Sequence, residues 1–207
     1  MIVVHHLNNS RSQRILWLLE ELEAPYEIVR YQRDAATNLA PPELKAIHPL
    51  GKSPVITDGK LTIAESGAIV DYLIRKHGGG RLAPPPDTGE HEIYLEWLHY
   101  AEGSAMLPLM LLLYTSRLGE GAKPLQPRIA SEIENHLGYV ETRLGGQPFL
   151  MGESFTGADV QMSFVGEVAR AFGRLANLAA TSDWVTRLHE RPAFKKALEK
   201  GGAYNLA

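Results

Sequence analysis

Between Gly78 and Glu90 the sequence reads GGGRLAPPPDTGE, and no regular element can run through it. Three consecutive glycines leave the backbone too free for a helix or strand. Three consecutive prolines lack the N–H groups that both require. The stretch divides the 207 residues into two pieces, each of which must build its own core. Before it, the pattern is mixed. MIVVHHL at the start is a β-branched run that reads as a strand. Ile15, Leu16, Leu18, Leu19 and Leu22 then recur at helical spacing over Ser12–Glu23. Ala24–Tyr31 alternates like a second strand, and ELKAI forms a short helix that ends before Pro49. PVITD and KLTIA flank Asp58-Gly59, a strong hairpin signal, and Glu65–His77 reads as an amphipathic helix. The order is β-α-β-α-β-β-α. A right-handed crossover makes the first two strands parallel, the last two form an antiparallel hairpin, and a mixed four-stranded sheet with three helices is the simplest packing.

After the linker every periodic stretch is helical. EIYLEWLHYAEGSAMLPLMLLLYTSRL is long and apolar around much of its circumference, with a kink expected near Pro108. Ile129, Ile133, Leu137, Val140 and Leu144 mark a helix with one buried face. Thr156-Gly157-Ala158-Asp159 fits a capping box in front of an apolar run.

Several function classes are excluded. The net charge is −3, and the first 78 residues carry nine basic and nine acidic side chains, so no basic stripe offers itself to nucleic acid. With no cysteine in the chain, disulfides, thiol nucleophiles and thiolate metal sites are absent. The histidines lack the H-E-x-x-H spacing of a metal site. There is no G-x-S-x-G elbow. Gly51-Lys52-Ser53 is not a phosphate loop, because Ala46 stands where its first glycine belongs and Pro54 follows the serine. Met106–Tyr114 is apolar but far too short for a membrane span, and MIVVHHLNN lacks the features of a secretion signal, so a cytoplasmic protein is expected.

Three polar features stay unexplained: Asn8-Asn9-Ser10-Arg11-Ser12 before the first helix, Lys52-Ser53-Pro54 opening the third strand, and Glu65-Ser66 opening a helix. Ser66 is a natural N-cap, and free N–H groups at a helix start can also receive a carboxylate.

In order and spacing these segments resemble the soluble glutathione transferases over essentially the whole chain. The resemblance is carried by the strand, polar knot and helix, by HPLGKSPVITDGKLTIAES and ESGAIVDYL, by FTGADV, and by W…RLHERPAFKKAL. HHLNNSRSQRILWLLEEL and WLHYAEGSAM look most like a bacterial and fungal branch with a serine-class-like site. The resemblance implies an α/β plus all-α architecture: a thioredoxin-like glutathione-binding domain over 1–79, a linker over 80–89, and an all-helical bundle domain over 90–207.

It also implies site roles. Pro54 would be the cis-proline, and the Ser53 backbone would pair with the cysteinyl peptide of glutathione as an added strand does. Lys52 would approach the glycyl carboxylate, Glu65 the ammonium, and Ser66 the γ-glutamyl carboxylate. The group activating the thiol would be Ser10 or Asn9, since the position where some classes keep a tyrosine falls on His5. Arg11 could favour the thiolate by its charge. Tyr100, Ser104, Met106, Tyr114 and Phe164 would wall an apolar electrophile site between the domains. Glutathione would be a co-substrate, with no cofactor and no metal. The expected activity is conjugation of glutathione to apolar electrophiles in detoxification, by a homodimer that binds neither nucleic acid nor membrane. A glutathione-dependent peroxidase, disulfide reductase or isomerase, and a non-catalytic regulatory protein, are the alternatives on the same fold.

Overall fold

The computed structural model describes residues 1–202 and 204–206. They form two compact units, one of Met1–Ala83 together with Leu188–Leu206, the other of Pro84–Arg187.

The first unit is built on a four-stranded sheet of β1 (Ile2–Leu7), β2 (Tyr26–Tyr31), β3 (Val55–Asp58) and β4 (Leu61–Ala64), in the order β2-β1-β3-β4. β1 and β2 are parallel, while β3 is antiparallel to both its neighbours. The crossover between β1 and β2 is α1 (Ser12–Glu21), and the Ile15–Leu19 run in it is completely buried. Asp58 pairs with Leu61 around Gly59-Lys60, and Gly59 takes a φ of 61°, a conformation glycine adopts without steric cost. After the short α2 (Leu44–Ile47), α3 (Ser66–His77) buries Ile69, Val70, Leu73 and Ile74. This is the mixed thioredoxin-like sheet expected from the sequence.

One element joins this unit from far along the chain. The sequence reading places residues 188–206 with the helical domain, but α9 (Pro192–Gly201) packs along α1. The reason lies on the outer face of α1. Glu20, with a side chain only 3% exposed, is paired with Lys196 at 2.7 Å and with Lys200, and accepts the Tyr26 hydroxyl at 2.6 Å. Burial pushes the Glu20 carboxyl up, but hydrogen bonds from Lys196, Lys200 and Tyr26 outweigh it and hold the group below its ordinary range. Arg191 grips both oxygens of Glu21 at 2.6 and 2.8 Å, and Trp17 meets Phe194 edge-on at 5.2 Å. A Cβ on Gly201 would lie 2.9 Å from Leu16 Cδ1 and 2.5 Å from Gln13 Oε1, so a larger residue there would force these two side chains to move.

The second unit is helical: α4 (Gly89–Tyr100), α5 (Met106–Thr115), α6 (Gln126–Leu144), α7 (Gly157–Ala171) and most of α8 (Ala179–Glu190). Thr88 caps α4, its hydroxyl accepting the His91 amide at 3.2 Å. The expected kink near Pro108 takes the form of a π turn at Ala101–Ala105, just N-terminal to the proline. Proline cannot donate to the preceding turn, and a widened turn accommodates the lost bond without breaking the helix. Ile129, Ile133, Leu137, Val140 and Leu144 are all buried, as their spacing requires. The capping box is formed at Thr156, and Asp159 is fully buried. No helix among the described residues is long and apolar enough to cross a membrane.

Candidate functional site

Strand register gathers the three polar features of the first unit at one end of the sheet. His5 pairs with Val55, and Val55 pairs with Ala64, so three strands share one row. The knot begins at Asn8, three residues after His5, Ser53-Pro54 immediately precedes Val55, and Glu65-Ser66 immediately follows Ala64. The N-termini of α1 and α3 begin from this same end. Their first-turn N–H groups and positive dipole ends favour anions there.

Each part has a local reason for its shape. The Ser53–Pro54 peptide is cis, and the Ser53 hydroxyl donates to the His5 carbonyl at 2.8 Å. The Ser53 main chain has no main-chain partner among the described residues and can accept an added strand. Lys52 is exposed beside it. Glu65 holds a φ of 68° and ψ of 114°, a strained backbone for a residue with a Cβ. It takes the cap position of α3, so Ser66, expected as the N-cap, is instead the first helical residue and is buried. Strain of this kind concentrates where a ligand must be met.

In the knot, Asn9 adopts the left-handed conformation with φ of 48°, which asparagine tolerates better than most residues. Arg33 clamps the loop, donating to the carbonyls of Asn8 and Asn9, each at 3.2 Å. Asn8 Oδ1 completes the lock by accepting the Arg33 amide at 2.8 Å.

The Ser10 hydroxyl, a first candidate for holding a thiolate, is turned inward. The residue is 4% exposed, and its Oγ donates to the Leu7 carbonyl at 2.8 Å and accepts the Ser12 amide at 3.2 Å. A hydroxyl has one proton, and here it is used inside the protein. Asn9 is partly exposed, and its Oδ1 accepts the Asn205 amide at 2.7 Å, leaving the –NH₂ as its donor end. Arg11 is also partly exposed.

His5 and His6 are both buried, and neither pattern nor spacing indicated their partners. His5 Nδ1 lies 3.0 Å from the Tyr31 hydroxyl, and burial pushes its ring down. His6 Nδ1 lies 2.8 Å from Ser12 Oγ. Burial pushes the His6 ring down to about 4, against a hydrogen bond to the Gly201 backbone and with help from the Arg30 charge. The ring is therefore neutral in the folded protein at neutral pH and protonates near 6.5 in the unfolded chain. Its contribution is fully present above pH 6.5 and is lost as pH falls toward 4. Equilibrium denaturation is expected to show a loss of about 2–3 kcal/mol across that window, with a shallower slope in His6→Gln. Equal slopes would remove His6 from the account.

The residues expected to wall an electrophile site all lie in the second unit, and they divide. Met106 is 1% exposed and Phe164 6%, so both are core residues rather than an open wall. Aromatic and methionine side chains at helical spacing fill a core as readily as they line a cleft. Tyr100 is half-buried, its hydroxyl 2.7 Å from His136 Nδ1, and burial with the nearby Tyr139 and Glu96 pushes it up to about 12. Ser104 is partly exposed on the π turn, and Tyr114 is exposed. A cavity of about 260 Å³ in this unit lies elsewhere, against Leu112, Ile129, Ile133 and Arg174. Among the described residues no cluster of three or more histidine, aspartate or glutamate side chains could hold a metal ion.

Known proteins match the chain along most of its length. Residues 1–75 match the family described as glutathione S-transferase, N-terminal domain, and residues 103–192 match its C-terminal domain. Glutathione S-transferase 3 of Schizosaccharomyces pombe is 35% identical, over 97% of this chain and 88% of its own. The chain belongs to the glutathione S-transferase family. Another member, glutathione S-transferase 1 of Saccharomyces cerevisiae, is 32% identical over 98% of this chain and 96% of its own. A crystal structure of a glutathione S-transferase from Actinobacillus pleuropneumoniae superposes with a TM-score of 0.91 at 34% identity, covering 100% of this chain and 95% of that one. This glutathione S-transferase therefore shares both of its domains with its relatives.

Proposed function

We propose that the protein is a glutathione transferase that binds glutathione at the end of the first unit's sheet and conjugates its thiol to apolar electrophiles. The observation that carries this reading is the shared row His5–Val55–Ala64, which gathers the knot, the cis-proline and Glu65-Ser66. Glutathione is a zwitterion with two carboxylates and one ammonium. Ser53 offers its main chain to the cysteinyl peptide, Lys52 faces the glycyl carboxylate, and Glu65 takes the ammonium. Ser66 and the N-terminus of α3 take the γ-glutamyl carboxylate. Asn9 donates to the sulfur, and Arg11 adds favourable charge. The internally bonded hydroxyl of Ser10 supports Asn9 over Ser10 for that task. Tyr100, Ser104 and Tyr114 remain the electrophile-side residues of this reading, and a cytoplasmic homodimer acting in detoxification completes it.

Millimolar glutathione should raise the melting temperature, by mass action worth about 2.7 kcal/mol at a hundred times Kd. Turnover should follow with an aryl halide as acceptor. Absence of any thermal shift would overturn the reading. Binding with turnover only on a hydroperoxide or mixed disulfide would move the activity to a peroxidase or reductase.

A further inference from the structure

We propose that the segment following α9 is a positioning element of the thiolate site, its Asn205 main-chain N–H orienting the Asn9 side chain toward the glutathione sulfur. This rests on the reading that Asn9 donates to that sulfur.

The Asn9 backbone is already held, by its left-handed φ and by the Arg33 bond to its carbonyl. The side-chain amide still has two rotatable bonds. Asn205 N–H donates to Oδ1 at 2.7 Å, and because the amide is planar, fixing its oxygen also fixes where its –NH₂ points. A donor on the oxygen also polarises the amide and strengthens the hydrogen bond its –NH₂ gives.

The segment is itself anchored. α9 is fastened to α1 by the Glu20 and Glu21 ion pairs and by Trp17 against Phe194. Gly201 then lies against Gln13 and Leu16, and its backbone engages His6. His6 bonds Ser12, and Ser12 Oγ lies 2.8 Å from Ser10 Oγ. Gly201 and Asn205 therefore each reach the knot, Gly201 through His6 and Asn205 directly at Asn9. Because Asn205 is exposed, water replaces its bond in part when it is lost, and the effect is moderate.

The test compares Asn205→Pro, which lacks the N–H, with Asn205→Ala, which keeps it. The readouts are kcat at saturating glutathione, the pKa of bound glutathione from thiolate ultraviolet absorbance, and glutathione affinity by calorimetry. Asn205→Pro is expected to fall roughly three- to tenfold below Asn205→Ala in kcat, with a raised thiol pKa. Glutathione affinity is expected to stay within about twofold. Deleting residues 203–207 should reproduce the shift should the proline variant fold poorly. In an Asn9→Ala background, Asn205→Pro should add nothing, because both act through one hydrogen bond. Equal thiol pKa in the proline and alanine variants, or additive effects in the double variant, would overturn the proposal. If Asn9→Ala alone is without effect, the underlying reading falls; if it is impaired while Asn205→Pro matches Asn205→Ala, only the positioning role falls.

Discussion

Asn9→Ala is expected to lower kcat at neutral pH by about 10- to 100-fold, while glutathione affinity changes by no more than about threefold. The size follows from what the site must supply. A free thiol titrates near about 8.5, and lowering that by about two units requires roughly 2.7 kcal/mol of preference for the thiolate. A hydrogen bond to a charged acceptor contributes about 1.5–3 kcal/mol, and a helix N-terminus about 0.3–1 kcal/mol. The asparagine would therefore carry most of the effect and α1 the remainder. Ser10→Ala is expected to behave differently, losing about 1 kcal/mol of stability through its cap-like bonds to Leu7 and Ser12 and costing less turnover than Asn9→Ala. Steady-state rates, thiol titrations and melting curves on both variants check this. The reverse order of turnover losses would return the donor role to Ser10.

Asp159→Ala is expected to cost about 3–5 kcal/mol, enough to unfold the second unit under mild conditions. The carboxylate is completely buried and accepts from the Leu150 amide at 3.0 Å, the Thr156 amide at 2.9 Å and Trp184 Nε1 at 3.0 Å. Burial pushes its pKa up even though all these donors favour the charge. Truncation strands three buried donors at once, each costing about 1–3 kcal/mol. Thr156→Ala removes only the cap hydroxyl and should cost about 1 kcal/mol. Urea denaturation of the two variants measures the difference, and equal losses would show that Asp159 acts only as a helix cap.

These two residues mark how far the sequence could be read. The capping box at Thr156 is local, with its partners three residues apart, and it was legible as a pattern. Its ties to Leu150 and Trp184 were not, because nothing in the spacing couples an aspartate to an indole on another helix. The parallel crossover and the hairpin were legible from alternation and from Asp58-Gly59, and the hairpin alone brings Ser53-Pro54 and Glu65-Ser66 to one end. The order β2-β1-β3-β4 was not legible, because no local spacing sets β1 beside β3. The choice between Ser10 and Asn9 was not legible, since adjacent polar residues in a turn look alike until hydrogen bonds assign an inside and an outside. The helical period of α9 was plain, but its partner was not: Glu20 and Lys200 lie 180 residues apart, and only the folded chain pairs them. Met106 and Phe164 lie in the core because periodicity locates a buried face without saying whether that face is filled by neighbours or by a ligand.

The return of α9 to α1 has a consequence for biosynthesis. As the chain emerges from the ribosome, β1 to α3 are complete long before Lys196 and Lys200 exist, so Glu20 waits without its counter-ions while the entire second unit is made. The first unit is thus a discontinuous folding unit, finished last although it begins first. Sequential N-to-C domain folding cannot complete it. Until α9 docks, the face of α1 carrying Trp17 and Glu20 lacks the Phe194, Lys196 and Lys200 that cover it in the folded protein.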